Sequence, residues 1–143
     1  MKIITNLSYL RQKSKVLLPE EIKLLLPDII KELEESLDPK RGIGLSAVQI
    51  GILYRVGIIR MGDKKINLVN PKILEKYDKF KMLKEGCLSM PGLRVDTKRY
   101  NSIIFENNGE RYSTEGIEAI CIFHEIDHMN GILIIDRKWK KRK

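Results

Sequence analysis

The sequence predicts an α+β fold in which short antiparallel strands pack around one central, buried helix. Three observations point there. A segment near the C-terminal end is apolar on nearly every side yet carries both histidines of the chain. Several short Val/Ile-rich runs precede it. Tight-turn residues separate those runs, which favours antiparallel pairing.

The central helix is expected from about Glu115 to Met129. Thr114 can cap it, and Glu115 and Glu118 suit its positive end. Gly131 stands just past the end, where a left-handed residue belongs. Ile117, Ala119, Ile120, Cys121, Ile122, Phe123 and Ile126 leave little polar surface, so the helix is expected to be buried. An earlier helix is expected from about Pro27, in the first turn, to Leu37, with Ile29, Ile30, Leu33 and Leu37 as its apolar stripe. Asp38-Pro39 and Gly42 end it. Strands are expected at Tyr54 to Arg60, at Ile66 to Val69 after a Gly62-Asp63 turn, and at Tyr100 to Glu106. Asn107-Asn108-Gly109 then signals a hairpin back through Glu110 to Tyr112.

The chain has 143 residues, enough for one domain with a core that needs no disulfide staples. Residues 1–143 are therefore read as a single catalytic domain with a basic tail at 138–143. No apolar run approaches the length of a bilayer span, and the N-terminus lacks the pattern of a signal or transit peptide. A cytoplasmic setting, no membrane partner and a monomer are expected. Cys87 and Cys121 are the only cysteines, and a reducing compartment leaves each buried, reactive or a ligand. The net charge of +8 suits an anionic partner. The lysines are scattered and not interleaved with aromatics, so no specific DNA recognition is expected. The tail Lys138-Trp139-Lys140-Lys141-Arg142-Lys143 reads as a solvated terminus.

Chemistry concentrates in His124-Glu125-Ile126-Asp127-His128. Residues four apart on a helix lie about 40° apart around the axis and one turn along it, so two imidazoles can pinch one metal ion. Glu125 sits beside them, within reach of a water at that ion. A third ligand is needed. The position six residues past His128 is Ile134, which excludes the long zinc-peptidase pattern. The only acid farther downstream is Asp136. Cys121 shares the face of His124 but lies roughly 7–8 Å below the level of a shared ion, so it lines a pocket beneath it. Cys87, in Glu85-Gly86-Cys87-Leu88-Ser89, is free to approach from another segment. The plainer alternative for Cys87 is a buried apolar cysteine.

At this point the sequence resembles the peptide deformylases. Three signatures of that family occur in order: Gly42-Ile43-Gly44-Leu45-Ser46-Ala47-Val48-Gln49, then Glu85-Gly86-Cys87-Leu88-Ser89, then His124-Glu125-Ile126-Asp127-His128. The likeness runs from about Leu10 to Ile135. It implies removal of the formyl group from N-formylmethionine on new polypeptides. It implies Cys87, His124 and His128 as ligands of one divalent metal per chain, Fe(II) natively, with Zn, Ni or Co able to occupy the site. It implies Glu125 as proton carrier, with the Gln49 amide and the Leu88 backbone N–H stabilising the oxyanion. A methionine pocket is implied at Ile43, Leu83, Ile117, Ile120 and Cys121, with Gly44 presenting its backbone to the peptide. Arg94 matches a further family position.

There are departures from the family pattern. Ser46 stands for the usual Ala. Phe123 replaces a Gln whose hydrogen bond would then be missing. Lys40 and Arg41 occupy positions where acids are frequent, which alters charge near the peptide groove. The chain stops soon after the third signature, where many bacterial relatives continue into a helix that docks on the ribosome. Contact with the ribosome is then expected only through the basic surface. The rival readings are another H-E-x-x-H peptidase, a catalytically silent homologue and a basic nucleic-acid binder.

Overall fold

The computed structural model describes residues 3–40 and 42–140. Its elements run α1 (Leu7–Leu10), α2 (Pro19–Leu37), β1 (Gly44–Ser46), β2 (Val56–Met61), β3 (Lys64–Val69), β4 (Lys72–Glu85), β5 (Val95–Asn107), β6 (Glu110–Glu115) and α3 (Gly116–Met129). Two three-stranded antiparallel sheets form, in the orders β1-β2-β3 and β4-β5-β6. The last helix, α3, packs against strands of both. The mixed α/β class is as expected, but the strands are not uniformly short, since β4 has 14 residues and β5 has 13.

The first sheet is buried on both sides. Ile58 of β2 joins a cluster with Leu33, Leu37 and Leu45, while its neighbour Ile59 joins Ile103, Ile122 and Ile126. Successive strand residues face opposite ways, so burial of both explains why β2 reads as a continuous apolar run. A smaller cluster of Leu10, Met90, Leu133 and Ile134 closes the structure near the end of the described chain.

Helix α2 begins eight residues earlier than the sequence suggests. Pro19, not Pro27, takes the first turn, and the Leu18 N–H is capped by Glu21 Oε1 at 2.9 Å. Pro27 lies inside the helix. An interior proline costs about 3 kcal/mol in a free helix. The apolar stripe runs through it, from Ile22 and Leu26 to Ile29, Leu33 and Leu37, and burial of that stripe outweighs the local defect.

Strand β4 carries no apolar alternation, because most of it is exposed. Its position follows from ten residue pairs with β5, and it was not expected from the sequence. The β5–β6 turn is as expected: Asn108 and Gly109 both have positive φ, 50° and 82°, which a two-residue hairpin of the primed type requires. Asn107 also ties this hairpin to the other sheet. Its Oδ1 accepts the Val69 N–H at 2.8 Å, and its Nδ2 donates to the Asn67 carbonyl at 3.0 Å.

The start of the basic tail is not freely solvated. Lys138 forms a bridge with Thr97, and the Trp139 N–H donates to the Asp96 carbonyl at 2.7 Å, so β5 supplies the missing backbone partners. Residues 141–143, and Arg41, lie outside the described residues. Thr114 does not cap α3. Its hydroxyl donates to Glu118 Oε2 at 2.7 Å, and Glu115 takes the cap position without a side-chain bond. Gly131 has φ 74°, as its place after the helix requires.

Candidate metal centre

Helix α3 is buried along most of its length because both sheets contribute apolar residues to it. Within that surface Glu125, Asp127 and His128 are buried polar groups. Each needs a partner, and the partners identify the site.

Cys87 reaches the two histidines from the segment after β4. One ligand atom from each of Cys87, His124 and His128 lies within 4.8 Å of the others. Cys87 Sγ is 3.3 Å from His128 Nε2, and the two imidazole rings are 5.0 Å apart between centroids. The structure brings these three together and leaves Cys121 out of the cluster. Cys121 lines the cleft instead, and burial, aided by the charges of Glu125 and Glu85, pushes its thiol up to about 11.

The electrostatics of the metal-free chain set the two imidazoles apart. Burial pulls His124 down, but hydrogen bonds to Cys87 and Glu85 outweigh it, and its pKa stands well above the ordinary value. Burial and the His124 charge hold His128 well below the ordinary value, so its imidazole is neutral and its lone pair free. A neutral imidazole, a second imidazole oriented by a carboxylate, and a thiol form a borderline-soft donor set that fits Fe(II) or Zn(II).

Behind the donors lies a network that sequence reading missed. Glu85 Oε2 meets His124 Nδ1 at 2.7 Å and accepts from Arg99 Nη2 at 2.6 Å. Glu85 Oε1 accepts from Arg99 Nε at 2.8 Å and from the Thr97 hydroxyl at 2.7 Å. Arg99 Nη1 then donates to Asp127 Oδ2 at 2.9 Å, and Arg137 grips the same carboxylate at 2.8 and 3.1 Å. Arg99 is only 1% exposed. One signal was present in the sequence: Thr97, Arg99, Ile103 and Phe105 share the inward phase of β5. A charge on that face demands a buried partner.

Phe123 has no side-chain hydrogen bond to offer, as expected, but it is not a gap. Its ring stacks on Tyr100 at 6.0 Å, and the Arg99 and Arg137 guanidinium carbons lie 5.7 and 5.4 Å from its centroid. Cation–π packing thus steadies the arginines that hold Asp127.

Gln49 and Glu125 both line the cleft. The Gln49 Oε1 accepts the Ser46 N–H at 2.9 Å, while its Nε2 faces Ser89 Oγ at 3.0 Å and Cys87 Sγ at 3.7 Å. Glu125 Oε1 is 3.0 Å from the Ser46 hydroxyl, which also lies 2.9 Å from the Glu125 carbonyl. Ser46 therefore touches the carboxylate through the atom an alanine would lack. Burial raises the Glu125 pKa above the ordinary carboxylate value.

A cleft of about 850 Å³ opens over these groups. Ile43, Gly44, Gln49, Cys87, Leu88, Arg94, Ile117, Ile120, Cys121, His124 and Glu125 all line it. Leu83 does not. Met82, Lys84 and Glu85 face the cleft while Leu83 is 62% exposed, at a point where β4 shifts register against β5 and Lys84 takes a φ of 52°. A Cβ on Gly44 would stand 2.6 Å from Glu125 Oε2, so glycine is what admits the carboxylate there. At Gly86 a Cβ would collide with the Arg94 guanidinium, which lies across the backbone beside Cys87.

Fold and site together define a metal-dependent hydrolase built on an H-E-x-x-H helix. Residues 3–143 match the polypeptide deformylase family. The chain is 35% identical to a peptide deformylase of Finegoldia magna over 141 residues, 94% of this chain and 86% of the relative. Its fold superposes on a peptide deformylase from Synechococcus elongatus in complex with actinonin, with a TM-score of 0.87 and 31% identity, covering 99% of this chain and 79% of that one. The peptide deformylase from Thermotoga maritima gives 0.84 and 32%, covering 98% and 97%. The chain belongs to the polypeptide deformylase family, hydrolases that remove the formyl group from the N-terminus of nascent peptides.

Proposed function

We infer that Cys87, His124 and His128 hold one divalent metal and that Glu125, Gln49 and Leu88 carry out deformylation around it. The observation that carries this reading is the convergence of the three donors within 4.8 Å, with Glu125 in the same cleft. The ion, when bound, supplies Lewis acidity: it lowers the pKa of water and polarises a carbonyl. We take Fe(II) as its native identity, with Zn, Ni or Co as substitutes the donors also accommodate.

The remaining work falls to the chain. Glu125 removes a proton from the attacking water and returns it to the departing amine, so formyl amide and water become formate and a free methionyl amine. Its raised pKa favours that return. The Gln49 amide and the Leu88 N–H donate to the oxygen that gains charge at the formyl carbon. Both ends of the Gln49 amide are engaged, the oxygen by Ser46 and the nitrogen by Ser89 and Cys87, so its plane is fixed before substrate arrives, and one N–H is exchanged for the oxyanion. Ile43, Ile117, Ile120 and Cys121 form the methionine pocket, with Met82 at the place expected of Leu83. Gly44 pairs with the peptide backbone at the free edge of β1.

Residues 1–143 act in this reading as one catalytic unit and as a monomer, in the cytoplasm. Any contact with the ribosome runs through the basic surface implied by the net charge of +8. The test is formate release from a formyl-Met tripeptide by Fe(II)-loaded protein without oxygen, with an acetylated peptide as control. Release from the formylated peptide alone supports the assignment. A loaded protein that releases nothing overturns it.

A further inference from the structure

The outer cleft carries a charge pattern that the deformylation chemistry does not use. Of the described residues lining it, the acids are Glu85 and Glu125. Both are buried, 6% and 4% exposed, and Glu85 is committed to Arg99 and His124. The cations at the rim are Lys40, Lys84 and Arg94, all exposed. None of these three is in an ion pair with another described residue. Asp96 accepts the Lys84 N–H at 3.0 Å but does not line the cleft.

Two sheet edges border the same opening. Strand β1 ends one sheet and contributes Gly44, and β4 ends the other and contributes Met82, Lys84 and Glu85. A peptide held extended between such edges sends successive side chains toward opposite walls. The residues that follow the methionine therefore pass Lys40, which precedes β1, and Lys84 of β4 with Arg94 beside Gly86. Arg94 is not a loose surface arginine. It fills the space that a side chain on Gly86 would occupy, next to Cys87.

We propose that Lys40, Lys84 and Arg94 make this chain selective for formyl-Met peptides with acidic side chains immediately after the methionine. The proposal rests on the deformylase reading of the cleft and adds the class of peptide it favours. A formylated N-terminus carries no charge, so in such peptides the acidic side chains set the sign of the field the rim attracts. Exposed pairs are individually weak and screened by salt, and three acting on one short peptide are expected to produce about a tenfold preference at low salt.

The experiment compares kcat/KM for amidated formyl-Met-Asp-Glu, formyl-Met-Ala-Ser and formyl-Met-Lys-Arg at low and high salt. The expected order is acidic, neutral, basic, with the acidic-to-basic ratio falling toward one as salt rises. Arg94→Glu and Lys84→Glu should each move that ratio toward the basic peptide, read as the ratio within each variant. Parity or a basic preference at low salt overturns the proposal, as does a ratio indifferent to salt. Calorimetric titration of the deformylated products Met-Asp-Glu and Met-Lys-Arg, both amidated, provides a measure independent of turnover. If no formylated peptide is cleaved, the deformylase reading fails. Tighter binding of the acidic product still supports the charge selection, and equal binding overturns it.

Discussion

Nδ1 of His124 lies 2.7 Å from Oε2 of Glu85, and this contact decides which nitrogen of the ring serves the cleft. Burial alone would raise the Glu85 pKa, but hydrogen bonds from His124 and Arg99 hold the carboxyl far below the usual range. It is ionised and only accepts. Nδ1 must then carry a hydrogen, which leaves Nε2 as the nitrogen that gives up its proton when a metal binds. Removing the charge in Glu85→Gln should weaken metal affinity by about 10–100-fold, measured by chelator competition. Unchanged affinity would show that the ring is oriented by packing instead.

Arg99 compensates two buried carboxylates, so Arg99→Met leaves Glu85 without its bidentate partner and Asp127 with Arg137 alone. Breaking such a network typically costs about 3–5 kcal/mol. Urea unfolding of the metal-free chain should register a loss of that order, and a loss below about 1 kcal/mol would place the network among weak surface pairs. The acid limb changes as well. A carboxyl whose pKa falls on folding contributes stability fully present above its unfolded value, near 4.5, and lost as pH drops below it. Arg99→Met should flatten that limb relative to the parent chain.

Glu125 is placed by Gly44 behind it and by Ser46 beside it. Glu125→Ala should keep the metal and lose turnover by about 10²–10⁴-fold. Gly44→Ala pushes a methyl to 2.6 Å from Oε2, so it should also lower kcat with metal content intact. If Gly44→Ala turns over at the parent rate, the carboxylate works from another position.

The two cysteines should separate cleanly. Cys87→Ala should lower metal content, whereas Cys121→Ala should retain it and alter the response to the side chain at the methionine position. With its thiol pushed up to about 11, Cys121 has a thiolate fraction of roughly one in a thousand at pH 8. Alkylation of the Cys121 peptide, followed by mass spectrometry, should therefore speed up about tenfold per pH unit toward that value. Rapid labelling at pH 8 would contradict the burial that raises it.

The two histidine donors were legible because their spacing is local. His124 and His128 lie one helical turn apart in any folded context, and the periodicity of α3 is carried by apolar residues that cannot stay in water. The I′ turn at Asn108-Gly109 is likewise fixed by two residues that tolerate positive φ. Pro27, a local breaker, hides the first turns of α2, and only the packing of Ile29, Leu33 and Leu37 reveals that burial overrides it. Strand β4 was invisible for the complementary reason. It is held by hydrogen bonds to β5, which leave no trace in side-chain hydrophobicity.

By itself, then, the sequence determined the helix that carries His124, Glu125 and His128, the chemistry those groups favour, and the family resemblance in three signatures. The tertiary structure brought Cys87 to the histidines as the resemblance implies, and it alone decided that Glu85 and Arg99 stand behind His124, that Leu83 does not line the cleft, and that three exposed cations rim it. The division has one physical cause. Spacing along a helix is set by backbone geometry that every sequence shares. Partnerships across 28 to 41 residues, such as Arg99 with Asp127, Glu85 with His124 and Cys87 with His128, exist only once burial has brought distant segments together and made an unpaired charge too costly to leave.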